Sequence, residues 1–409
     1  MDLNACEEEY AKLIVEGGIG LKDGDNVIIN ADTSIAEFAM KVVRACYVHG
    51  AGKVEVRWSS TMKDELDYRY GNPEILGKVT GWEEEQMKEQ ADELPCLIHL
   101  LTSDPVHSTE EEAARQADAQ TKRLSVLMPY ILKMRNHYKW TAACIPTQKW
   151  ADLVFPDEEN RLDHLWNDVL NALMINGDGT AVEKWNRKFK GMWKRMDLLN
   201  HMCLSSLHMQ SELGTDLTVK LYPLARFACA RGPEDPCMVN LPSEEIFTSP
   251  AAGKAEGTLV ASMPLIHNNQ RIENLVLQFH EGKVCHVSAS LGQQYFENLI
   301  CTDAGACMLG ETAIVDKDSP IFRMHHLFHH TLFDENAACH VAVGKGFPFV
   351  IDDWKNMTTE EIKACGINES AIHCDIMWGT EHACITGMTA DGTTVEILKD
   401  GKWQIGGEQ

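Results

Sequence analysis

The stretch Asp25–Trp58, "DNVIINADTSIAEFAMKVVRACYVHGAGKVEVRW", predicts how the amino-terminal half of this chain folds. Its pattern indicates a strand, a helix and a second strand, with polar residues 32–34 able to cap the start of the helix and Gly50 and Gly52 able to end it. A strand, a crossover helix and another strand form a βαβ unit, whose two strands are parallel. We therefore expect a parallel sheet in this half of the chain.

The turn "NADTS" between the first strand and the helix argues against a dinucleotide site, because it lacks the glycines that let backbone amides approach phosphate. Downstream, helical and strand patterns alternate as far as Ser211, and from Gly214 onward the chain is rich in short β segments broken by Gly, Asp and Pro. The predicted fold class is α/β, with an α/β domain over residues 1–213 and a β-rich domain over residues 214–409.

Composition excludes several classes of partner. A formal charge of −24 over 409 residues repels nucleic-acid phosphates and anionic lipid, and no run of apolar residues is long enough to span a membrane. The basic aromatic segment 182–202 has apolar residues at helical spacing, so we interpret it as a helix with a solvated face. The fourteen cysteines lack paired short spacings and follow no signal peptide, which predicts reduced thiols in a cytoplasmic protein.

The segment Met324–His340, "MHHLFHHTLFDENAACH", is rich in potential metal ligands. Its first four histidines would form two i, i+4 pairs on a helix, but no HExxH arrangement accompanies them, so a surface or loop cluster is the favoured interpretation for His325, His326, His329 and His330. His340 differs because it begins the alternating strand "HVAVG". A lone histidine there is more often a core residue than a ligand, so a metal site at His340 requires partners elsewhere.

The best partners are His373 and Asp375 in the strand-like run "AIHCDIMWG", because residues two apart on a strand project from the same face. Glu311 at the head of "ETAIV" and Glu245 in an apolar loop are also oddly placed, since burying a carboxylate is costly without a cation. Alternatives remain open: Glu311 could pair with a lysine, and Glu245 could be exposed to solvent. Two imidazoles and three carboxylates together are typical of a hydrolytic two-metal site.

Four phrases carry a family resemblance: "NLPSEEIFTSP" (240–250), "LGETAIV" (309–315), "TLFDENAACHVAVG" (331–344) and "SAIHCDIMWG" (370–379). In this order and spacing they resemble the metal-dependent aminopeptidases of the aminopeptidase T, aminopeptidase S and PepS type, and the likeness extends over nearly the whole chain. It implies an α/β amino-terminal domain, a β-rich carboxy-terminal catalytic domain, a homodimer, and two divalent ions (zinc, cobalt or manganese). It also implies hydrolysis of peptides with a free amino terminus. The implied metal ligands are Glu245, Glu311, His340, His373 and Asp375.

Glu311 and Glu335 are the predicted catalytic residues. Two ions would activate a water and polarise the scissile carbonyl. Glu335, just ahead of His340, is a candidate general base or anchor for the substrate amine, and orienting His340 through a hydrogen bond is an equal alternative. One departure from the family pattern is Phe347, which stands where the family has a tyrosine and which cannot donate a proton to an oxyanion.

Two rival functions follow from these observations. Some proteins of this fold are iron-dependent dioxygenases that open dihydroxypyridine rings, and His340, His373 and Asp375 could supply their facial ligand set. Glu245 and Glu311 argue against that function, because a single iron requires neither. The other rival is a catalytically silent binding homologue, in which Phe347 marks the decay of the site. Metal content and peptide hydrolysis distinguish the three.

Overall fold

The structure is a computed structural model that describes residues 2–105, 109–134, 137–223, 225–268 and 270–407. It contains two compact units, one formed by Met1–Trp185 with Asp235–Leu241 and the other by Asn186–Glu234 with Pro242–Gln409. In the part of the chain described here, no helix is both long enough and apolar enough to cross a membrane.

The α-helices, in chain order, are α1 (Leu3–Lys12), α2 (Ala36–Val48), α3 (Thr61–Tyr70), α4 (Pro73–Leu76), α5 (Gly81–Glu93), α6 (Glu110–Met134), α7 (Gln148–Val154), α8 (Arg161–Ala172), α9 (Ala181–His201), α10 (Gln293–Leu299), α11 (Pro320–Met324), α12 (Thr331–Asp334) and α13 (Thr359–Ala364). A π-helical turn at Leu13–Gly18 continues α1. Short 3₁₀ turns occur at Thr33–Ile35, Glu335–Ala337, Pro348–Val350 and Trp354–Asn356.

The strands are β1 (Asn26–Asp32), β2 (Lys53–Ser59), β3 (Cys96–Leu101), β4 (Trp140–Cys144), β5 (Leu204–Gln210), β6 (Asp216–Lys220), β7 (Asn240–Leu241), β8 (Ile246–Thr248), β9 (Ala255–Val260), β10 (Leu265–His267), β11 (Gln270–Ile272), β12 (Val276–His280), β13 (Lys283–Ser288), β14 (Leu309–Ile314), β15 (His340–Gly344), β16 (His373–Met377), β17 (Cys384–Thr389), β18 (Thr394–Lys399) and β19 (Lys402–Trp403).

The first unit is built on a five-stranded sheet in the order β2-β1-β3-β4-β7, whose paired strands are all parallel. The predicted βαβ unit is therefore confirmed, with α2 as the crossover helix. Asp32 ends β1 and holds the turn, because one of its carboxylate oxygens accepts the backbone N–H of Ser34 at 2.8 Å and the other accepts that of Thr61 at 2.8 Å.

The second unit is mainly antiparallel β structure, in an eight-stranded sheet β13-β12-β9-β6-β5-β17-β18-β19 and a four-stranded sheet β16-β15-β14-β8. Gly214, near which the sequence predicts a domain boundary, lies in the turn that joins the paired strands β5 and β6 of this unit. The second compact unit begins at Asn186, whereas the predicted β-rich domain begins at residue 214. Residues 235–241 belong to the first unit.

The basic aromatic segment forms the helix α9, as predicted. Phe189, Met192 and Leu199 are buried along one side of it, whereas Lys190 and Lys194 are exposed. The same helix supplies Lys188, whose ammonium group pairs with the buried carboxylate of Glu244. The segment therefore has an amphipathic structural role within the fold.

Candidate metal centre

The four-stranded sheet brings four of the predicted ligands to one face. Glu311 on β14 pairs with Ala342 on β15, and Ala342 pairs with Asp375 on β16, so these three positions form a row across the sheet. Residues that pair across strands, and residues two apart along a strand, project from the same face. His340 lies two residues before Ala342 and His373 lies two before Asp375, so their side chains share the face of Glu311.

Small residues at the centre of this face leave room between the ligands. Ala342 is completely buried between Glu311 and Asp375. Gly344 pairs with His373 and has φ of +100°, a conformation that favours glycine. A Cβ atom there would lie 2.2 Å from the carbonyl oxygen of Ile372, so no other residue fits without moving the strand. Along this face of β15, the side chains thus decrease in size from the imidazole of His340 to the methyl group of Ala342 and the hydrogen atom of Gly344.

The fifth predicted ligand, Glu245, immediately precedes β8 at the edge of this sheet and is buried. Two groups of donor atoms result, each lying within 4.8 Å of one another: Glu245, Glu311 and His340 form the first, and Glu311, His373 and Asp375 form the second. Glu311 belongs to both. It is buried and pairs with His373, whose Nε2 lies 3.1 Å from its carboxylate. Among the residues that the structure describes, Glu311 has no lysine partner, and Glu245 is buried and not exposed to solvent.

Both imidazoles are oriented by backbone carbonyl groups. His340 Nδ1 lies 3.2 Å from the carbonyl oxygen of Ala338, and His373 Nδ1 lies 2.8 Å from that of Lys345. A carbonyl oxygen can only accept, so each Nδ1 carries the proton and each Nε2 faces the carboxylates. This tautomer presents a nitrogen lone pair to a cation and is the usual arrangement of a metal-binding histidine.

Two buried carboxylate oxygens, Glu245 Oε2 and Asp375 Oδ1, make no well-aligned hydrogen bond with the described residues. They lie 3.2 Å from His340 Nε2 and from His373 Nε2 respectively. An unsatisfied buried polar atom costs free energy comparable to a lost hydrogen bond. A cation placed among these atoms would satisfy both oxygens and both nitrogens, so the donor set fits divalent metal ions.

The charged groups at the site also favour the binding of a cation. Burial raises the pKa of the Glu311 carboxyl to about 7, although His373 opposes the shift. Burial alone would lower the pKa of His340 and of His373, but neighbouring carboxylates raise both above the usual range. Without metal, protons on these groups offset the crowded negative charge. A metal ion would replace those protons.

Glu335 lies in the 3₁₀ turn that follows α12, and it lines a cavity of about 50 Å³ together with His373 and Asp375. Burial, with Glu245 and Asp375 close by, raises the pKa of its carboxyl well above the ordinary value. Of the roles predicted for Glu335, orienting His340 does not fit the geometry, because the carbonyl of Ala338 already holds the Nδ1 of that imidazole.

Comparison with known proteins places the chain in a family. The family described as thermophilic metalloprotease (M29) matches residues 4–403. This chain belongs to the M29 metalloproteases. Aminopeptidase AmpS of Bacillus subtilis (strain 168) is 34% identical to it over 402 residues, which cover 96% of this chain and 97% of AmpS. The structure of wild-type AmpT from Thermus thermophilus matches with a TM-score of 0.88 at 28% identity, covering 98% of this chain and 100% of AmpT.

Membership of the M29 family confirms the resemblance and the predicted metal-dependent hydrolase. The match to AmpT confirms the predicted α/β fold class with a β-rich second half. A more distant match is the structure of 2,5-dihydroxypyridine dioxygenase from Pseudomonas putida KT2440, with a TM-score of 0.52 at 12% identity over 98% of this chain and 96% of that one. At that identity the match shows a shared fold alone.

The histidine-rich segment of this M29 metalloprotease includes a loop, residues 325–330, between α11 and α12. Asp334 organises it, because its two carboxylate oxygens accept the backbone N–H groups of Phe328 at 2.7 Å and of His330 at 3.0 Å. The His330 ring accepts the backbone N–H of Leu332 and caps α12. In the described part of the chain, the first four histidines belong to neither group of potential metal ligands, and His340 belongs to one.

Phe347 lies beside the site. Its ring centroid is 5.1 Å from that of His373, and it also contacts Phe247 and Phe349 at 5.6 and 5.0 Å. The position at which the family resemblance implies a tyrosine is therefore next to a candidate ligand, and in this M29 metalloprotease it presents a ring without a hydroxyl group.

Two polar side chains near the site, those of His267 and Tyr295, are not among the residues predicted from the sequence. His267, at the end of β10, lines the same cavity as His373 and Asp375, and its Nδ1 lies 2.7 Å from the hydroxyl of Tyr295 on α10. The only local signal was a histidine before two asparagines, "LIHNN", which marks a hairpin turn and gives no indication of a site.

Proposed function

We propose that this protein is an aminopeptidase that removes the amino-terminal residue of peptides through two divalent metal ions. The proposed ligands are Glu245, Glu311 and His340 for one ion and Glu311, His373 and Asp375 for the other. The observation that carries the proposal is the position of Glu311 in both groups of donors, where one carboxylate would contribute to holding each ion.

The donor set supports zinc, cobalt or manganese. Each group combines one imidazole with two carboxylates, a mixture of nitrogen and oxygen donors that these ions accept. When bound, such ions lower the pKa of a water molecule toward neutrality and polarise a carbonyl group. The relatives named aminopeptidase support the choice of peptides with a free amino terminus as the substrates.

Glu335 is the proposed general base. Its carboxyl group lines the cavity beside the second group of donors, where it can accept a proton from the attacking water and pass it to the leaving amine. Burial, with Glu245 and Asp375 close by, raises the pKa of this carboxyl, and cations held by the neighbouring donors would oppose that shift.

The geometry disfavours the iron dioxygenase. In a dioxygenase, His340, His373 and Asp375 would together bind the iron. Here His340 belongs to one group of donors and the other two residues belong to the second. A mononuclear site also gives no role to the buried carboxylates Glu245 and Glu311.

The test measures metal content and peptide hydrolysis together. We expect about two zinc, cobalt or manganese ions per chain by plasma mass spectrometry, and release of leucine or arginine from amide substrates that have a free amine but not from acetylated ones. Glu335→Gln should lower kcat by about 100-fold or more with unchanged metal content. A rise in KM alone would make Glu335 the amine anchor. One iron per chain, or no hydrolysis across a broad panel, would overturn the proposed function.

The homodimer implied by the family resemblance and the cytoplasmic location stay predictions. Light scattering of the purified protein tests the first, because a mass of one chain would contradict it. Fractionation of cells that express the protein tests the second.

A further inference from the structure

His267 is a polar group that faces the reaction cavity and has no role in the mechanism described so far. It ends β10, the first strand of a hairpin with β11, and it lines the cavity together with Glu335, His373 and Asp375. The cavity holds about 50 Å³, enough for one or a few water molecules or the reacting carbonyl of a substrate. A side chain in this wall therefore contacts whatever occupies the cavity.

A hydrogen bond to Tyr295 can set the position of the proton on the His267 ring. The Tyr295 hydroxyl lies 2.7 Å from Nδ1, and the side chain of Asn268 hydrogen-bonds the same phenol. The phenol can donate a hydrogen bond to Nδ1, and burial raises the pKa of Tyr295, which disfavours loss of the phenolic proton. An imidazole that accepts at Nδ1 carries its own proton on Nε2, and burial favours this neutral form by lowering the pKa of His267.

We propose that His267 is a further catalytic residue, whose Nε2–H donates a hydrogen bond to the oxygen of the scissile carbonyl as negative charge develops on it. Tyr295 is a positioning residue that holds this tautomer. The inference rests on the proposed function, because amide hydrolysis is what creates the oxyanion.

Hydrolysis of an amide places negative charge on the carbonyl oxygen, and a hydrogen-bond donor such as His267 would stabilise that charge. Water adds to the carbonyl carbon, the C–O double bond becomes a single bond to a charged oxygen, and collapse then breaks the C–N bond as the amine takes a proton. Donors already in place around that oxygen stabilise it strongly in a site that excludes water, and a neutral imidazole can serve. Phe347, whose ring packs against that of His373, offers no donor, and His267 supplies one in the wall of the cavity.

The tautomer is testable without catalysis. In protein with ¹⁵N-labelled histidine, with and without zinc, the His267 ring should show a protonated Nε2 and an unprotonated Nδ1, the resonances being assigned with His267→Gln. Tyr295→Phe should remove this preference. A proton on Nδ1 of the wild-type ring would overturn the proposal.

Kinetics with leucine p-nitroanilide test the role. His267→Ala should lower kcat about 100-fold, the usual effect of losing one oxyanion donor, with KM and metal content within about twofold of wild type. His267→Gln keeps an N–H donor and should recover part of the loss, and Tyr295→Phe should lower kcat about tenfold. The control is His280→Ala, because His280 has a 71% exposed side chain on β12 and should leave kcat unchanged.

Affinity for a phosphinic dipeptide, which mimics the tetrahedral oxyanion, separates this proposal from the proposed function. His267→Ala should bind the phosphinate about 100-fold more weakly, while affinity for leucine changes by less than about threefold. Equal losses for both ligands, or no loss, would overturn the role of His267 whether or not the wild-type protein hydrolyses peptides. A wild-type protein that binds metal but cleaves no substrate would instead overturn the proposed function.

Discussion

Replacing Glu311 by glutamine tests the two-metal proposal directly, because the substitution keeps the shape of the side chain and removes a charge common to both donor groups. The carboxylate lies 3.1 Å from His373 Nε2, and unit charges at that distance interact by about 5 kcal/mol at an effective dielectric constant of about 20. Rearrangement and water recover part of this, so we expect a net loss of about 3 kcal/mol for each ion. Affinity for each ion should therefore fall about 100-fold.

The assay is metal content after dialysis against zinc buffered at a fixed free concentration, followed by kcat/KM for leucine p-nitroanilide. Wild-type protein should retain about two ions, and Glu311→Gln should retain fewer than one. Glu245→Gln is the matched variant, because Glu245 belongs to a single group of donors and its loss should leave about one ion bound. Glu256→Gln, at an exposed carboxylate paired with His280, controls for the change of charge alone.

Two results would contradict a carboxylate shared by both ions: Glu311→Gln binding two ions with wild-type affinity, or Glu311→Gln and Glu245→Gln losing the same number of ions. Circular dichroism must show that each variant is folded, since Glu311 is buried within β14. A folded Glu311→Gln that loses both ions while Glu245→Gln loses one would support a shared carboxylate.

Three further predictions concern the surroundings of the site. Phe347→Tyr should raise kcat at least about tenfold by adding a donor beside His373, and an unchanged or lower kcat would contradict this. Carboxylates outweigh burial and raise the pKa of His340 to about 10 and of His373 to about 11, so both rings are protonated in metal-free protein at pH 7.5. Metal binding should then release at least two protons, and affinity should fall as the pH falls; calorimetry in buffers of different ionisation enthalpy measures the release. Asp334→Ala removes the acceptor of the Phe328 and His330 backbone N–H groups, at a cost of about 3 kcal/mol, which should lower the melting temperature by about 3 °C; an unchanged value would show that water replaces the carboxylate.

Much of the candidate site is predictable because its residues lie on strands with clear local patterns. The spacing of His373 and Asp375 predicts that they share a face, and the pairing of Asp375 with Ala342 and of Ala342 with Glu311 agrees with that prediction. The odd chemistry of Glu245 and Glu311, carboxylates in apolar surroundings, was also a local signal.

Other features depend on contacts that no local pattern encodes. His267 and Tyr295 meet because a hairpin and a short helix distant in sequence pack together, and neither segment has a periodicity that indicates a partner. The return of residues 235–241 to the first unit rests on β7, which is two residues long and pairs with β4. A strand of that length gives no periodic signal. The predicted boundary near Gly214 therefore followed a real change in composition, while the connectivity of the units is set by long-range pairing.

Backbone carbonyls, not side chains, aim both imidazoles of the candidate centre. The oxygens belong to Ala338 and Lys345, so exchanging either of those amino acids leaves the acceptor in place, whereas adding or deleting one residue on either side would shift it. Substitutions at these two positions should therefore preserve the orientation of the rings, whereas insertions or deletions in the adjoining loops should not. Engineering of this enzyme has freedom in the chemical identity of the supporting residues and very little in the path that the main chain takes past the two rings.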